Sequence, residues 1–154
     1  MRVFNKRAKF DYELLEKVEA GIELQGSEAK AIRLGRVNIS QAFAKIIGNQ
    51  VWLVNAHIPI EGKKEYNPTR SRKLLLHRDQ IRTIEAKMKA RRLTLVPVSL
   101  YTKRSLRPNG RKSRLYKLEL ALAKAKRKFE KKADIKAHDI ERNTLRELRG
   151  YKDK

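Results

Sequence analysis

Leu93-Thr94-Leu95-Val96-Pro97-Val98-Ser99-Leu100-Tyr101 and Tyr116-Lys117-Leu118-Glu119-Leu120-Ala121-Leu122 are the two runs that decide the fold. In the second, Leu118, Leu120 and Leu122 fall on one side, and Lys117, Glu119 and Ala121 on the other. That is the period of a half-buried strand. In the first, the same period puts Val96, Val98 and Leu100 on one side. Pro97 cannot donate to a ladder, so this strand lies at a sheet edge or carries a bulge. Lys103 to Arg114 joins the two runs as a basic hairpin loop around Pro108-Asn109-Gly110.

Shorter elements of the same kind surround them. Glu13 to Val18 and Ile22 to Leu24 read as strands around Gly21. Gln41 to Ile47 and Val51 to Ile58 flank Gly48-Asn49, a hairpin signature because both residues tolerate positive φ. Leu74, Leu75 and Leu76 form a short buried run. Ser27 to Leu34 reads as a helix that Ser27 caps, Glu28 complements through the dipole, and Gly35 ends. His77 to Arg91 reads as a helix that His77 caps, with Ile81, Ile84 and Met88 on one face. Pro59 to Ser71 is a polar, basic loop. The fold expected is mainly β: a small closed antiparallel barrel with short flanking helices. Closure would remove exposed edges, although periodicity alone does not separate a barrel from a sandwich.

Charge narrows the function. Lys and Arg number 39 against 17 Asp and Glu, a formal net charge of +22 on 154 residues. Solubility needs only a few units, so a polyanionic partner is expected, with nucleic acid first. There is no cysteine, hence no disulfide or thiolate metal site. The start is basic with no apolar run behind it, and no segment reaches the ~20 apolar residues of a membrane helix. A cytoplasmic location without membrane contact is expected. Three histidines, His57, His77 and His138, stand in unrelated contexts, and no HExxH, P-loop or GxGxxG motif occurs. An enzyme is not expected, and no metal or cofactor is implied.

Two segments point to RNA. Asn5, Lys6 and Arg7 precede Phe10 and Tyr12, and cations among aromatics suit phosphates and unpaired bases; the alternative is that the two rings pack inside. The segment Gln25 to Arg33 joins a strand to a helix that projects Lys30 and Arg33. The tail, Ala125 to Lys154, is different in kind. From Lys124 onward there are twelve Lys or Arg and six Asp or Glu. Phe129, Ala133, Ile140 and Leu148 make only a thin apolar stripe. Disorder when free and helix when bound is expected for this tail. Residues 1–124 then form the RNA-binding body and 125–154 the tail.

Asn5 to Tyr12, Glu19-Ala20-Gly21-Ile22, Gln25 to Arg33, Gly35 to Ile39, Asn67 to His77, Leu93 to Tyr101 and Leu118 to Lys124 stand in the order found in the SsrA-binding (SmpB) family. These are the tmRNA-binding proteins of bacterial trans-translation, and the chain resembles them over nearly its whole length. The resemblance implies an oligonucleotide-binding type of barrel that binds the tRNA-like domain of tmRNA and delivers it to stalled ribosomes. The barrel would substitute for the missing anticodon arm, and the tail would probe the empty mRNA channel at the small-subunit decoding region. It also implies a complex with elongation factor Tu and a monomeric chain. By motif, Glu19, Leu75 and Lys117 fall among the RNA-binding positions, and Lys124 is a further RNA-binding candidate. In the tail, Lys126, Arg127, Lys128, Phe129, Lys131, Lys132, Lys136 and Ile140 fall among those that engage the ribosome. Phe129 stands where other members often carry Tyr or His, so its ring can still stack on a base but cannot donate a hydrogen bond or a proton. Ile140 stands where some carry a large aromatic, so a stacking contact is not expected there. Two other classes compete: a structural ribosomal protein, and an RNA-modifying enzyme, which turnover of RNA would reveal.

Overall fold

The computed structural model describes residues 1–152. Seven strands and four helices follow in the order β1 (Arg2–Phe4), α1 (Lys6–Asp11), β2 (Tyr12–Ile22), α2 (Gly26–Arg33), β3 (Phe43–Ile47), β4 (Gln50–Val54), β5 (Arg72–Leu75), α3 (Arg78–Arg91), β6 (Thr94–Leu106), β7 (Lys112–Ala125) and α4 (Lys128–Lys152). All pairings are antiparallel. β6 pairs β3, β3 pairs β4, β4 pairs β5, β5 pairs β2, β2 pairs β7, and β7 returns to β6. Six strands thus close into the ring expected of this sequence, and β1 adds to the free edge of β6. Leu53, Leu74, Leu95, Leu100, Leu118, Leu120 and Leu122 fill one core, to which α2 contributes Ala31 and Ile32 and α3 contributes Ile81 and Ile84.

Several expectations are corrected. The strand pair expected around Gly21 is one strand, β2, bulged between Leu14 and Glu16. α2 begins one residue early, and Gln25 rather than Ser27 holds its N-cap position. Only Leu74 of the leucine run is buried, because Leu75 points outward with 54% of its surface exposed. The basic segment after Tyr101 is not a loop. β6 and β7 continue as a two-stranded ribbon as far as Leu106 and Lys112, and only Arg107 to Arg111 form the turn. The Gly48-Asn49 turn is as expected, with both residues at positive φ (57° and 59°).

Pro97 does mark a bulge: the register slips between Pro97 and Ser99. A one-residue slip moves side chains to the other face. Leu95 and Leu100 therefore share the main core although they stand an odd number of positions, five, apart. Val96, expected on the same side as Leu100, packs instead with Ala8 and Ala123 in a second cluster beneath α1. Ala121, expected outward, is also buried. Asn5 ties this cluster to the bulge. Its backbone N–H donates to the Val98 carbonyl at 2.8 Å, and its side-chain amide donates to the Pro97 carbonyl at 2.9 Å. Its side-chain oxygen accepts from the N–H groups of Arg7 and Ala8, capping α1. Asn5 is 5% exposed, so its side chain is committed to the fold rather than presented to RNA.

A buried ionic cluster joins α2 to β5. Glu28 and Arg72 are both fully buried. Arg72 donates from Nε to Glu28 at 2.9 Å, from Nη1 to the Ala56 and Arg70 carbonyls, and from Nη2 to the Tyr66 hydroxyl and Pro68 carbonyl. Arg70 grips the same carboxylate bidentately at 2.8 and 2.6 Å. Tyr66 and the Gln25 N–H also donate to it. Burial pushes the Glu28 carboxyl up, but the hydrogen bonds from Arg70, Gln25 and Tyr66 and the charge of Arg72 outweigh burial and hold it at about 2.

A carboxyl whose folded-state value lies below its unfolded value of about 4.3 adds stability above that value and loses it as pH falls through the folded one. Wild-type stability should therefore drop between about pH 4 and pH 2. Glu28→Gln should lose about 3–5 kcal/mol near neutral pH, since it leaves buried guanidiniums unpaired, and should show a flatter decline below pH 4. Urea unfolding at several pH values checks both.

Candidate nucleic-acid interface

Cross-strand register lines up one row of residues on the outer face of the ring. Leu75 of β5 pairs Gly21 of β2, Gly21 pairs Lys117 of β7, Lys117 pairs Tyr101 of β6, and Tyr101 pairs Arg2 of β1. Glu19, Glu119, Ser99 and Phe4 form the next row on the same face. Alternation of side chains along strands makes these two rows neighbours. Gly21 has a specific use here. A Cβ at its position would stand 3.2 Å from Cβ of Leu75, so the bare backbone gives the leucine room to lie across β2.

The two rows are wired together. Lys117 pairs with Glu19 at 3.3 Å, and the Tyr101 hydroxyl donates to the same carboxylate. The Tyr101 hydrogen bond first, and Lys117 with it, hold the Glu19 carboxyl below its ordinary value despite slight burial. Burial and the bond to Glu19 push the Tyr101 hydroxyl up to about 12, so it remains a donor at neutral pH. Glu119 accepts from Ser99 at 2.8 Å and pairs with Lys17 at 3.2 Å and Arg2 at 3.7 Å. Burial pushes Glu119 up, yet these partners hold it below its ordinary value. The Arg2 guanidinium stacks 4.8 Å from the Tyr101 ring centre and 5.3 Å from that of Phe4. Phe4 itself is exposed.

This face opens into a cleft of about 980 Å³ between β2, β5, β7 and the start of α3. Glu19, Leu75 and Lys117, far apart in sequence, all line it, with Lys73, Arg78, Arg82 and Arg114. One carboxylate, several aliphatic residues with Leu75 the most exposed of the β5 leucines, and five cations line the same space. Such a site can hold phosphates, accept from an amino or hydroxyl group, and pack on a sugar or base.

The other residues read from the sequence lie elsewhere. Lys6 and Arg7 are exposed on α1, Lys30 and Arg33 on α2, and Lys124 on β7 opposite Glu13. The tail is helical here as α4, and its first turns meet α1. Lys126 donates to the Lys9 carbonyl at 2.9 Å and pairs with Asp134 at 2.5 Å, while Lys131 pairs with Asp11 at 3.1 Å. Arg127, Lys128, Lys132 and Lys136 are exposed, as are Phe129 and Ile140. Sequence reading missed Tyr101, Arg2 and Glu119 as parts of the interface. Only the register of β6 with β7 and of β1 with β6 places them beside Lys117.

Known proteins are similar to this chain over most of its length. The family model described as SmpB protein matches residues 2–150. The chain is 42% identical over 147 residues to the SsrA-binding protein of Oleidesulfovibrio alaskensis, covering 94% of this chain and 89% of that one. It is 42% identical over 148 residues to the SsrA-binding protein of Carboxydothermus hydrogenoformans, covering 94% and 93%. Its fold is similar to a chain in the solved structure described as "tmRNA-SmpB: a journey to the center of the bacterial ribosome", with a TM-score of 0.61 and 37% identity over 82% of this chain and 85% of that chain. A model match over nearly the full length, with relatives at this identity, leads to one conclusion: the chain belongs to the SmpB protein family.

Proposed function

We propose that this chain is an RNA-binding adaptor, not an enzyme, that binds the tRNA-like domain of tmRNA and delivers it to stalled ribosomes for trans-translation. The observation that carries the reading is the convergence of Glu19, Leu75 and Lys117 in one basic cleft. Lys117 pairs with a phosphate of the RNA. Glu19, already held as an anion, accepts from a base amino group or a 2′-hydroxyl. Leu75, half exposed above Gly21, packs on a sugar or base. Lys6, Arg7, Lys30, Arg33 and Lys124 add a diffuse field that draws the RNA in. On the ribosome the ring stands in for the absent anticodon arm and α4 enters the empty mRNA channel. There its exposed cations meet ribosomal RNA and Phe129 stacks on a base. The tail leaves α1 for that purpose, which opens the bond of Lys126 to the Lys9 carbonyl and the pair of Lys131 with Asp11. A cytoplasmic setting, a monomeric chain and a complex with elongation factor Tu accompany this reading. Among the described residues no helix is long and apolar enough to cross a membrane.

Lys117→Ala should weaken binding to the tRNA-like domain about 5- to 30-fold, the equivalent of 1–2 kcal/mol for one charge-assisted contact. Fluorescence anisotropy with bulk tRNA as competitor checks this, and unchanged affinity would remove Lys117 from the interface. Truncation after Lys124 should leave tmRNA affinity within about twofold while abolishing tagging of a nascent chain in a reconstituted translation system. Tagging that survives the truncation would contradict the role given to α4.

A further inference from the structure

Beyond Tyr101 and Lys117 the β6–β7 ribbon leaves the ring and projects by five residue pairs, roughly 17 Å at the usual strand rise. Residues 103–114 carry six cations, Lys103, Arg104, Arg107, Arg111, Lys112 and Arg114, and no acidic residue. Among the described residues none of the six makes an ion pair. The register sets Arg104 directly opposite Arg114, and Leu106 opposite Lys112 one step further along the same face. Lower down, that face turns Leu100 and Leu118 into the core. From the Arg104–Arg114 pair outward it is exposed, and Leu106 is 71% exposed.

Two guanidiniums facing each other across a pair of strands oppose folding, and a lone two-stranded ribbon is marginal in water. The turn is closed by backbone bonds from Arg107 to Arg111 and from Gly110 to Arg107, both 2.9 Å. Such an element gains stability when anions come between its cations. Its base is continuous with the cleft, since Arg114 and Leu115 line the wall beside Lys117.

We propose that the ribbon is a second RNA contact, in which Arg104, Lys112 and Arg114, with Arg111 at the turn, grip the phosphate backbone of the same RNA that enters the cleft. The proposal rests on the RNA-binding reading and deepens it by dividing the labour. The cleft recognises the structure of the RNA, while the ribbon supplies affinity that is indifferent to sequence and sensitive to salt. An acidic protein surface would match the charge, but continuity with the cleft wall favours RNA.

The test is a salt titration of the full-length chain against the labelled tRNA-like domain of tmRNA, comparing wild type with the triple variant Arg104→Gln, Arg111→Gln, Lys112→Gln. The slope of log affinity against log salt should fall by about 2–3, and affinity near 0.1 M salt by about tenfold or more. A second variant, with residues 105–113 replaced by Asn-Gly, removes Arg107, Arg111 and Lys112, keeps Arg114 in the cleft wall, and should show a loss of similar size on a ring that melts no lower than wild type. Unchanged slope and affinity in both variants, with wild type binding normally, would overturn the ribbon proposal alone. The same holds if RNA binding is kept but cosedimentation with ribosomes is lost, which would assign the ribbon to a different partner. Failure of wild type to bind the RNA would overturn the RNA reading and the ribbon with it.

Discussion

A carboxylate with no access to solvent, Glu28, sets the relation between α2 and β5. Burying it without partners would cost several kcal/mol. Arg70 and Arg72 supply the opposite charge, the first from the connection into β5 and the second from the first position of that strand. The cluster thus fixes three things together: the start of α2, the path of the long connection before β5, and the position of β5 in the ring. Leu75 projects from the last residue of that strand, and α3 begins shortly after it. The cleft therefore depends on an ionic cluster that lies outside it. Arg72 finds an acceptor for each of its donors, and among the described residues no buried side-chain polar atom lacks a partner. A cluster satisfied to this degree favours one arrangement over its competitors.

The outer face of the ring depends in turn on closure. Lys117 and Tyr101 sit on neighbouring strands, and Glu19 reaches both only because β7 lies between β2 and β6. Closure also explains how a chain of such positive charge keeps acidic residues where it does. Glu19 and Glu119 are each held as anions by neighbouring donors. They neutralise the cations that build the face, whereas the ribbon carries no acidic residue and the tail carries more cations than anions. The surplus is thus concentrated around the cleft and on the elements that leave the body.

Much of this was legible from residue order. The alternation in Leu118, Leu120 and Leu122, the turn at Gly48-Asn49 and the bulge at Pro97 follow from strand period and turn chemistry. Which face Val96 takes did not follow, because the slip after Pro97 changes the parity of everything before it. Leu75 looked buried because three leucines in a row hide an alternation that Arg72 and Lys73 reveal only once their strand is known. The ribbon looked like a loop because its side chains are polar on both faces, so it carries no apolar period. Glu28 was legible only as a helix-end charge. Its charged partners, Arg70 and Arg72, lie more than forty residues away, and no local rule connects them. Family resemblance pointed to Glu19, Leu75 and Lys117 individually. Their meeting in one cleft, with Tyr101 and Arg2 beside them, is a property of register.

The central claim is that the row from Leu75 through Gly21, Lys117 and Tyr101 to Arg2 is the face that receives RNA. Amide chemical-shift mapping of the full-length chain, titrated with the tRNA-like domain of tmRNA, tests it most directly. The largest changes should fall on Gly21, Leu75, Tyr101 and Lys117, with smaller ones along the adjoining ribbon. If those amides stay in place while the shifts gather on α1 and α4 or on the outer face of β3 and β4, the RNA binds elsewhere and the cleft is not its site.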